Sequence, residues 1–289
     1  MFDLRYHVAS LAAVFVALIV GILVGVGLAG SGVNQADLLV ARAQRDDWQR
    51  TAKAQKAQLD EQAKTQKAFE LAYPAVMRDL LTGKRLAVLF IGPKDGGINQ
   101  AIERTLSDAG ADPPVRVISL TVPVNAQALD SVLFDKGPQF VKYFGNDKLD
   151  SLGSALGAEF ASGGQTPLWK ALGQELIGER SGNTRQRIDG VVVARTVKPQ
   201  QGDTARFLRG FYAGLTSVGI PAVGVEKSST TAAAVRLIKL YRDRGLSAVD
   251  DIDLTTGRVA LAWLLAGAET GKYGTQDDAD AVLPNFPGG

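Results

Sequence analysis

Residues Val8 to Gly30, VASLAAVFVALIVGILVGVGLAG, form an uncharged run of 23 residues, and nothing else in the chain restricts its options as much. As a helix at 1.5 Å per residue the run reaches roughly 34 Å, enough to cross a hydrocarbon core of about 30 Å. It predicts an N-terminal transmembrane anchor, with the rest of the chain held at a lipid bilayer. A cleaved signal peptide is the competing reading, supported by the N-terminal position and by Gly27 and Ala29. Signal h-regions run roughly 7–15 residues. This run is longer, and its charged flank is weak, Arg5 being offset by Asp3.

Within the run, Ala9, Ala13, Ala17, Gly21, Gly25 and Ala29 recur every four residues. Residues four apart share a helix face, and small side chains there let two helix backbones approach closely. Ala13, Ala17, Gly21 and Gly25 are therefore the candidate helix-packing residues, for a homodimer or for docking on a helical membrane partner. A composition rich in Ala and Gly produces such a stripe by itself, which is the plainer reading.

With 289 residues the chain has room for an anchor and one sizeable domain. A net charge of +2 gives no reason to expect a nucleic-acid partner. Cys is absent, so no disulfide forms; that fits a cytosolic protein and equally an exported one stable without staples. Arg5 and the terminal amine on one side nearly balance Arg42 and Arg45 on the other, so the residues alone leave membrane orientation open.

The spacing divides the chain into an anchor (1–33), a helical stalk (34–73), an α/β domain (84–270) and a C-terminal tail lying on the surface (271–289). Residues 34–72 contain neither Gly nor Pro and favour helix. A heptad frame from Leu38 through Trp48 and Leu59 to Phe69 predicts a paired coiled coil, although its seam is partly polar; a single solvated helix is the alternative. Pro74 is expected to end or kink the helix after Tyr73. Beyond Lys84, apolar runs at 85–91, 115–120, 188–197, 219–225 and 248–253 read as strands. They alternate with helical patterns at 95–109, 126–133, 148–160, 203–217 and 256–266, with another after Thr166-Pro167 and one carrying Val235, Ile238 and Tyr241. Alternating strands and helices predict a three-layer domain with a mainly parallel sheet.

Candidate chemistry is sparse. Gly92-Pro-Lys-Asp-Gly-Gly97 follows a strand and opens a helix, so its free N–H groups are placed to seat a phosphate. It is neither a dinucleotide fingerprint nor a P-loop, and an ordinary strand–helix turn with Asp95 as helix cap is the plainer reading. Asp250, Asp251 and Asp253 are chemically suited to a hard cation, against which stand helix capping and solvated charge. The only histidine, His7, sits at the edge of the apolar run, far from any Ser–His–Asp arrangement. No enzyme, cofactor or metal site is expected.

The opening Asp3-Leu-Arg-Tyr-His-Val-Ala-Ser-Leu, with Gly21-Ile-Leu-Val-Gly25, resembles the opening of the MctB family. The closing Val249-Asp-Asp-Ile-Asp253, Leu261, Gly267, Tyr273-Gly274 and Leu283-Pro284 resemble that family's closing segment. The resemblance implies an actinobacterial source, an N-terminal anchor, and location in the cell membrane or envelope with an exported C-terminal domain. It also implies a part in copper homeostasis, described as efflux across the mycobacterial outer membrane. Relatives in the family are similar to regulators of cell separation that act with a membrane partner and a peptidoglycan hydrolase. Copper enters through the resemblance alone. Cu(I) selects thiolate and thioether ligands, with imidazole also used, and this chain offers no Cys, only Met1, Met77 and His7. The sequence reading is thus a non-catalytic, membrane-anchored envelope protein of copper transport. Its alternative is an envelope interaction module regulating cell separation or peptidoglycan hydrolysis.

Overall fold

The structure, a computed structural model, describes residues 14–22, 35–183, 185–229 and 245–286. The chain divides into two compact units, residues 1–68 and 69–289. In the first unit residues 14–22 form helix α1, and α2 (Gln35–Met77) begins. Up to Tyr73 its sequence contains neither Gly nor Pro, which suits it to helix. The side chains described between 40 and 68 are exposed, those of Trp48 and Leu59 included.

Pro74 does not end α2, which continues to Met77. A proline inside a helix removes one backbone hydrogen bond and crowds the preceding turn. Contacts made by this turn offset that loss. Tyr73 Oη donates to Asp108 at 2.7 Å, Trp263 Nε1 donates to the Val76 carbonyl at 3.4 Å, and Met77 is fully buried.

The expected transmembrane anchor is corrected here. Among the described residues no helix is long and apolar enough to cross a membrane. The described part of α1 is nine residues, about 14 Å, less than half of a hydrocarbon core; the remainder of 8–30 lies outside the described residues. α2 is long enough at 43 residues, but its charges, Arg42, Arg45, Asp46, Asp47 and Arg50 among them, bar it from lipid. The fold-class reading therefore stands as mixed α/β with a mostly parallel sheet, without the membrane helix. The lipid bilayer as partner, the single-pass placement in cell membrane or envelope with an exported C-terminal domain, the homodimer or membrane partner docked through that helix, and the membrane-anchored function in both its forms all rested on the anchor, and they fall with it.

The second unit is built on one seven-stranded sheet in the order β3-β2-β1-β4-β5-β6-β7. The strands are β1 (Leu86–Ile91), β2 (Arg116–Leu120), β3 (Ile177–Gly182), β4 (Gly190–Arg195), β5 (Ala222–Val225), β6 (Ser247–Val249) and β7 (Lys272–Tyr273). All pairings are parallel except β3 on β2. β1 is buried at every position, as a central parallel strand must be when helices cover both faces. Ala87, Leu89 and Ile91 enter one core, and Leu86, Val88 and Phe90 the other.

The first core is closed by α4 (Ala126–Lys136), α5 (Leu149–Ser162), α6 (Pro167–Leu176) and α7 (Gly202–Thr216). The second is closed by α3 (Gly96–Asp108), α8 (Thr255–Ala266) and the end of α2. β3 had no counterpart in the sequence reading. The predicted surface tail instead supplies β7, whose Tyr273 is buried. The predicted helix carrying Val235, Ile238 and Tyr241 lies outside the described residues.

α5 and α7 meet at backbone distance. Each carries two glycines four apart, Gly153 and Gly157 on one, Gly210 and Gly214 on the other. A Cβ on Gly153 would collide with the Phe207 carbonyl, one on Gly157 with that of Phe211, one on Gly210 with that of Asp150, and one on Gly214 with that of Ser154. The obstacles are backbone atoms, which have no rotamer to give. Around this contact Phe207 stacks on Phe211 (6.1 Å between ring centroids), and Trp169 meets Phe211 edge-on (6.1 Å).

Gly210→Ala is expected to destabilise the protein by about 1–3 kcal/mol or more, the cost of overpacking against a rigid neighbour. In Gly173→Ala the new Cβ meets only Ile177 Cδ1 at 3.5 Å; at that helical site the change is expected to stabilise by about 0.5–1 kcal/mol. Urea denaturation of the two variants tests the pair, and equal midpoints would refute the interlock.

Candidate functional site

The residues singled out from sequence fall in separate elements, although Lys227 on Asp95 and the neighbouring Ser228 on Asp253 link the Gly92 to Gly97 loop to the acidic cluster. Ala17 and Gly21 lie in α1, where Ala17 is exposed and a Cβ on Gly21 would meet open space. Ala13, Gly25, His7 and Met1 lie outside the described residues. Met77 is fully buried among Leu81, Leu86 and Val88.

In open parallel sheets, ligands bind outside the strand ends where strand order reverses, which here is between β1 and β4. The Gly92 to Gly97 loop sits there and is filled by the chain itself. Thr196 Oγ1 donates to the Pro93 carbonyl at 2.6 Å, and the Val197 side chain closes on Gly92. Asp95 accepts from the Ile98 N–H at 2.7 Å and pairs with Lys227 at 3.0 Å. Those two partners hold its carboxyl below the usual carboxylate range. Asp95 thus occupies the turn where a phosphate would sit, as a helix cap does.

The acidic cluster is equally committed. Asp250 and Asp251 are fully buried, so neither is the solvated charge expected of it. Asp250 accepts from the Thr275 N–H at 2.9 Å and the Gln276 N–H at 3.2 Å, tying the end of β6 to the segment after β7. Gly274, at φ 142°, lies against that carboxylate where any Cβ would overlap it. Asp253 accepts from the Ser228 N–H and hydroxyl, both at 2.7 Å. Asp251 accepts from the Thr256 hydroxyl at 2.7 Å through Oδ2, while Oδ1 has no hydrogen-bond partner among the described residues. Burial, helped by the charges of Asp250 and Asp253, pushes its carboxyl up to about 6. Among the described residues no group of three or more His, Cys, Asp or Glu is placed to hold a metal ion.

The open site lies elsewhere, at the β3 edge of the sheet. A cavity of about 570 Å³ is floored by Arg116, Ile118, Ile177 and Arg180, and walled by Phe160, Pro167 and Trp169. Lys170 and Arg185 complete the rim. Its size falls within the range of small-ligand pockets. Three elements position it. Arg116 is the largest fully buried side chain described. It donates to the Phe160 carbonyl at 2.6 Å and the Asn183 carbonyl at 3.1 Å, and lies 5.0 Å from the Phe160 ring centroid. Burial lowers its pKa to about 10, so it stays cationic at neutral pH. Glu159 accepts from the Leu168 N–H (3.1 Å) and the Trp169 N–H (3.2 Å), capping α6 where Thr166 makes no side-chain cap. Trp169 Nε1 donates to the Leu156 carbonyl at 2.8 Å, which fixes the indole at the cleft wall.

The outcome is an apolar, aromatic wall under a cationic rim. Lys170, Arg180 and Arg185 are exposed and form no ion pair among the described residues, and no carboxylate lines the cavity. Planar guanidinium groups bind carboxylate and phosphate through paired hydrogen bonds. Because Glu159 fills the α6 N-terminus, an arriving anion meets side-chain cations, not a helix end. Sequence reasoning missed all four basic residues. The one available signal was an arginine opening the otherwise apolar strand Arg-Val-Ile-Ser-Leu.

Asp251 gives a pH test. Its folded-state pKa of about 6 exceeds the ordinary 3.8, so the folded state binds the proton more tightly than the unfolded state does. Stability therefore falls as pH rises through that window, and the burden is complete above it, roughly 2–3 kcal/mol at most. Asp251→Asn removes it. The stability gap between variant and parent should widen in the variant's favour from pH 4 to pH 7 in thermal melts; a gap independent of pH would contradict the assignment.

No curated protein matches the chain. The family described as "Copper transport outer membrane protein, MctB" matches residues 1–284, nearly the whole length. On that match, the chain belongs to the MctB family.

Proposed function

We propose that the α/β unit is a non-catalytic binding module that captures an anionic ligand in the basic cleft. One observation carries this reading: Lys170, Arg180 and Arg185 stand exposed around an aromatic-walled cavity that has buried Arg116 in its floor and no carboxylate in its lining. Carboxylates and phosphates complement that arrangement, and the apolar wall strengthens each charge contact by excluding water.

The family's description names copper transport. Copper is cargo here, and the donor chemistry argues against its being carried on this chain. Cu(I) sites are built from several soft ligands. The chain has no Cys, two Met and one His. Met77 is enclosed in the core, which leaves Met1 and His7, too few for a site within one copy.

Isothermal titration of the full chain with pyrophosphate in low salt tests the cleft. Saturable binding is expected, weakened at least tenfold in an Arg180→Ser/Arg185→Ser double variant and by 0.5 M salt. Unchanged affinity in the double variant would remove the cleft as the site. Met77→Leu, a volume-conserving swap, should cost under about 1.5 kcal/mol and leave Cu(I) retention as in the parent. Stoichiometric Cu(I) binding that this variant loses would refute the copper argument.

A further inference from the structure

The sheet has two edges, and the chain treats them differently. At one edge β7 is two residues long, and the chain's own C-terminal segment bridges it at Ala281. At the other, β3 is six residues long, and no described strand pairs with it besides β2. Positions 178–182 are exposed. Alternate N–H and C=O groups of an outermost strand face away from its single neighbour and are open to pairing. Proteins blunt such an edge with charged side chains, Pro, bulges or a cover; β3 has neither Lys nor Pro, and carries Glu179 and Arg180 on opposite faces and a register shift that leaves Gly178 out of the pairing.

The edge and the cleft share a face. Arg180 stands opposite Ile118 in the β2–β3 register, and Ile118 belongs to the core that includes Phe160 and Trp169. Side chains of directly opposed residues point to the same face. A strand laid along β3 would therefore present every second side chain toward Arg180, Arg185 and Lys170.

We infer that the cleft's ligand is an extended acidic peptide segment of another protein, added as a further strand on β3 with its carboxylates at alternate positions over the basic rim. Main-chain pairing supplies affinity in this mode, and alternate side chains supply selectivity. The inference rests on the anion-binding reading above and narrows its ligand class. The charge is complementary, since the cavity lining carries four cations and no anion, and the spacing is set by the strand period of two.

The test uses the full chain and fluorescent eight-residue peptides read by anisotropy. One alternates Glu with Val, one has the same composition with its four Glu in a block, and two alternating versions carry N-methyl groups on odd or on even amides. Pyrophosphate and a short DNA duplex serve as non-peptide anions. The inference expects the alternating peptide to bind at least tenfold tighter than the blocked one. It also expects one of the two methylated series to lose binding at least tenfold, and Arg180→Glu to do the same. Equal binding of all acidic peptides and pyrophosphate, untouched by methylation, would overturn strand addition while leaving the anion cleft standing. Tighter binding of DNA than of any peptide would overturn the peptide assignment. No binding of any anion, pyrophosphate included, would overturn both readings.

Discussion

The contact between α5 and α7 sets the geometry of everything on its face of the sheet. Four glycines let two helix backbones touch, and the helices then have almost no freedom to slide or rotate. Phe160 leaves the end of α5 at a fixed height, where its ring meets Trp169, Phe211 and the guanidinium of Arg116. Glu159, one residue earlier, reaches the first turn of α6 and fixes where that helix starts. The cleft wall is thus a consequence of close packing two helices away, and loosening the interlock would blur the cleft before it unfolded the domain.

Polar groups inside the domain serve as ties between segments distant in sequence. Arg116 joins the start of β2 to the end of α5 and to the turn after β3. Asp250 joins β6 to the turn after β7, and Arg85 and Asp189 meet in a two-pronged ion pair at the N-terminal ends of neighbouring β1 and β4. Hydrogen bonds of the carboxylate to Arg85 hold Asp189 down at about 2. Arg116 and Asp250 are buried, and buried charges are costly without partners, so each of these two restricts the fold to arrangements that satisfy it. The closing motif Val-Asp-Asp-Ile-Asp followed by Tyr-Gly makes sense on these terms: the glycine makes room for the aspartate carboxylate.

Much of the α/β unit was legible because its central strands are buried on both faces and read as short apolar runs closed by turn residues. The Asp95 cap and the Thr166-Pro167 helix start were legible for the same local reason. β3 was not, since Ile-Gly-Glu-Arg-Ser-Gly has no apolar alternation; β2 holds it in place, not its own pattern. The cleft escaped notice because its cations come from positions 116, 170, 180 and 185, on two strands, one helix and a turn, and no spacing rule links them. Glycine spacing drew attention to Gly21 and Gly25, where a Cβ at Gly21 is unopposed, while the same four-residue spacing at 153/157 and 210/214 marks the tightest helix contact described. The anchor reading drew on the length and hydropathy of residues 8–30 and on the family resemblance; among the described residues no helix is long and apolar enough to cross a membrane.

The unequal edges of the sheet also limit how these molecules can assemble. A protein with two open strand edges is a monomer for a polymer, since each addition exposes a fresh edge for the next. Here Ala281 pairs beside β7, and among the described residues β3 is the edge left without a partner, so copies of this chain that add edge to edge through β3 stop at a pair. Recognition at this edge is inherently one-to-one, and the chain escapes runaway fibre growth without having to give up an accessible strand.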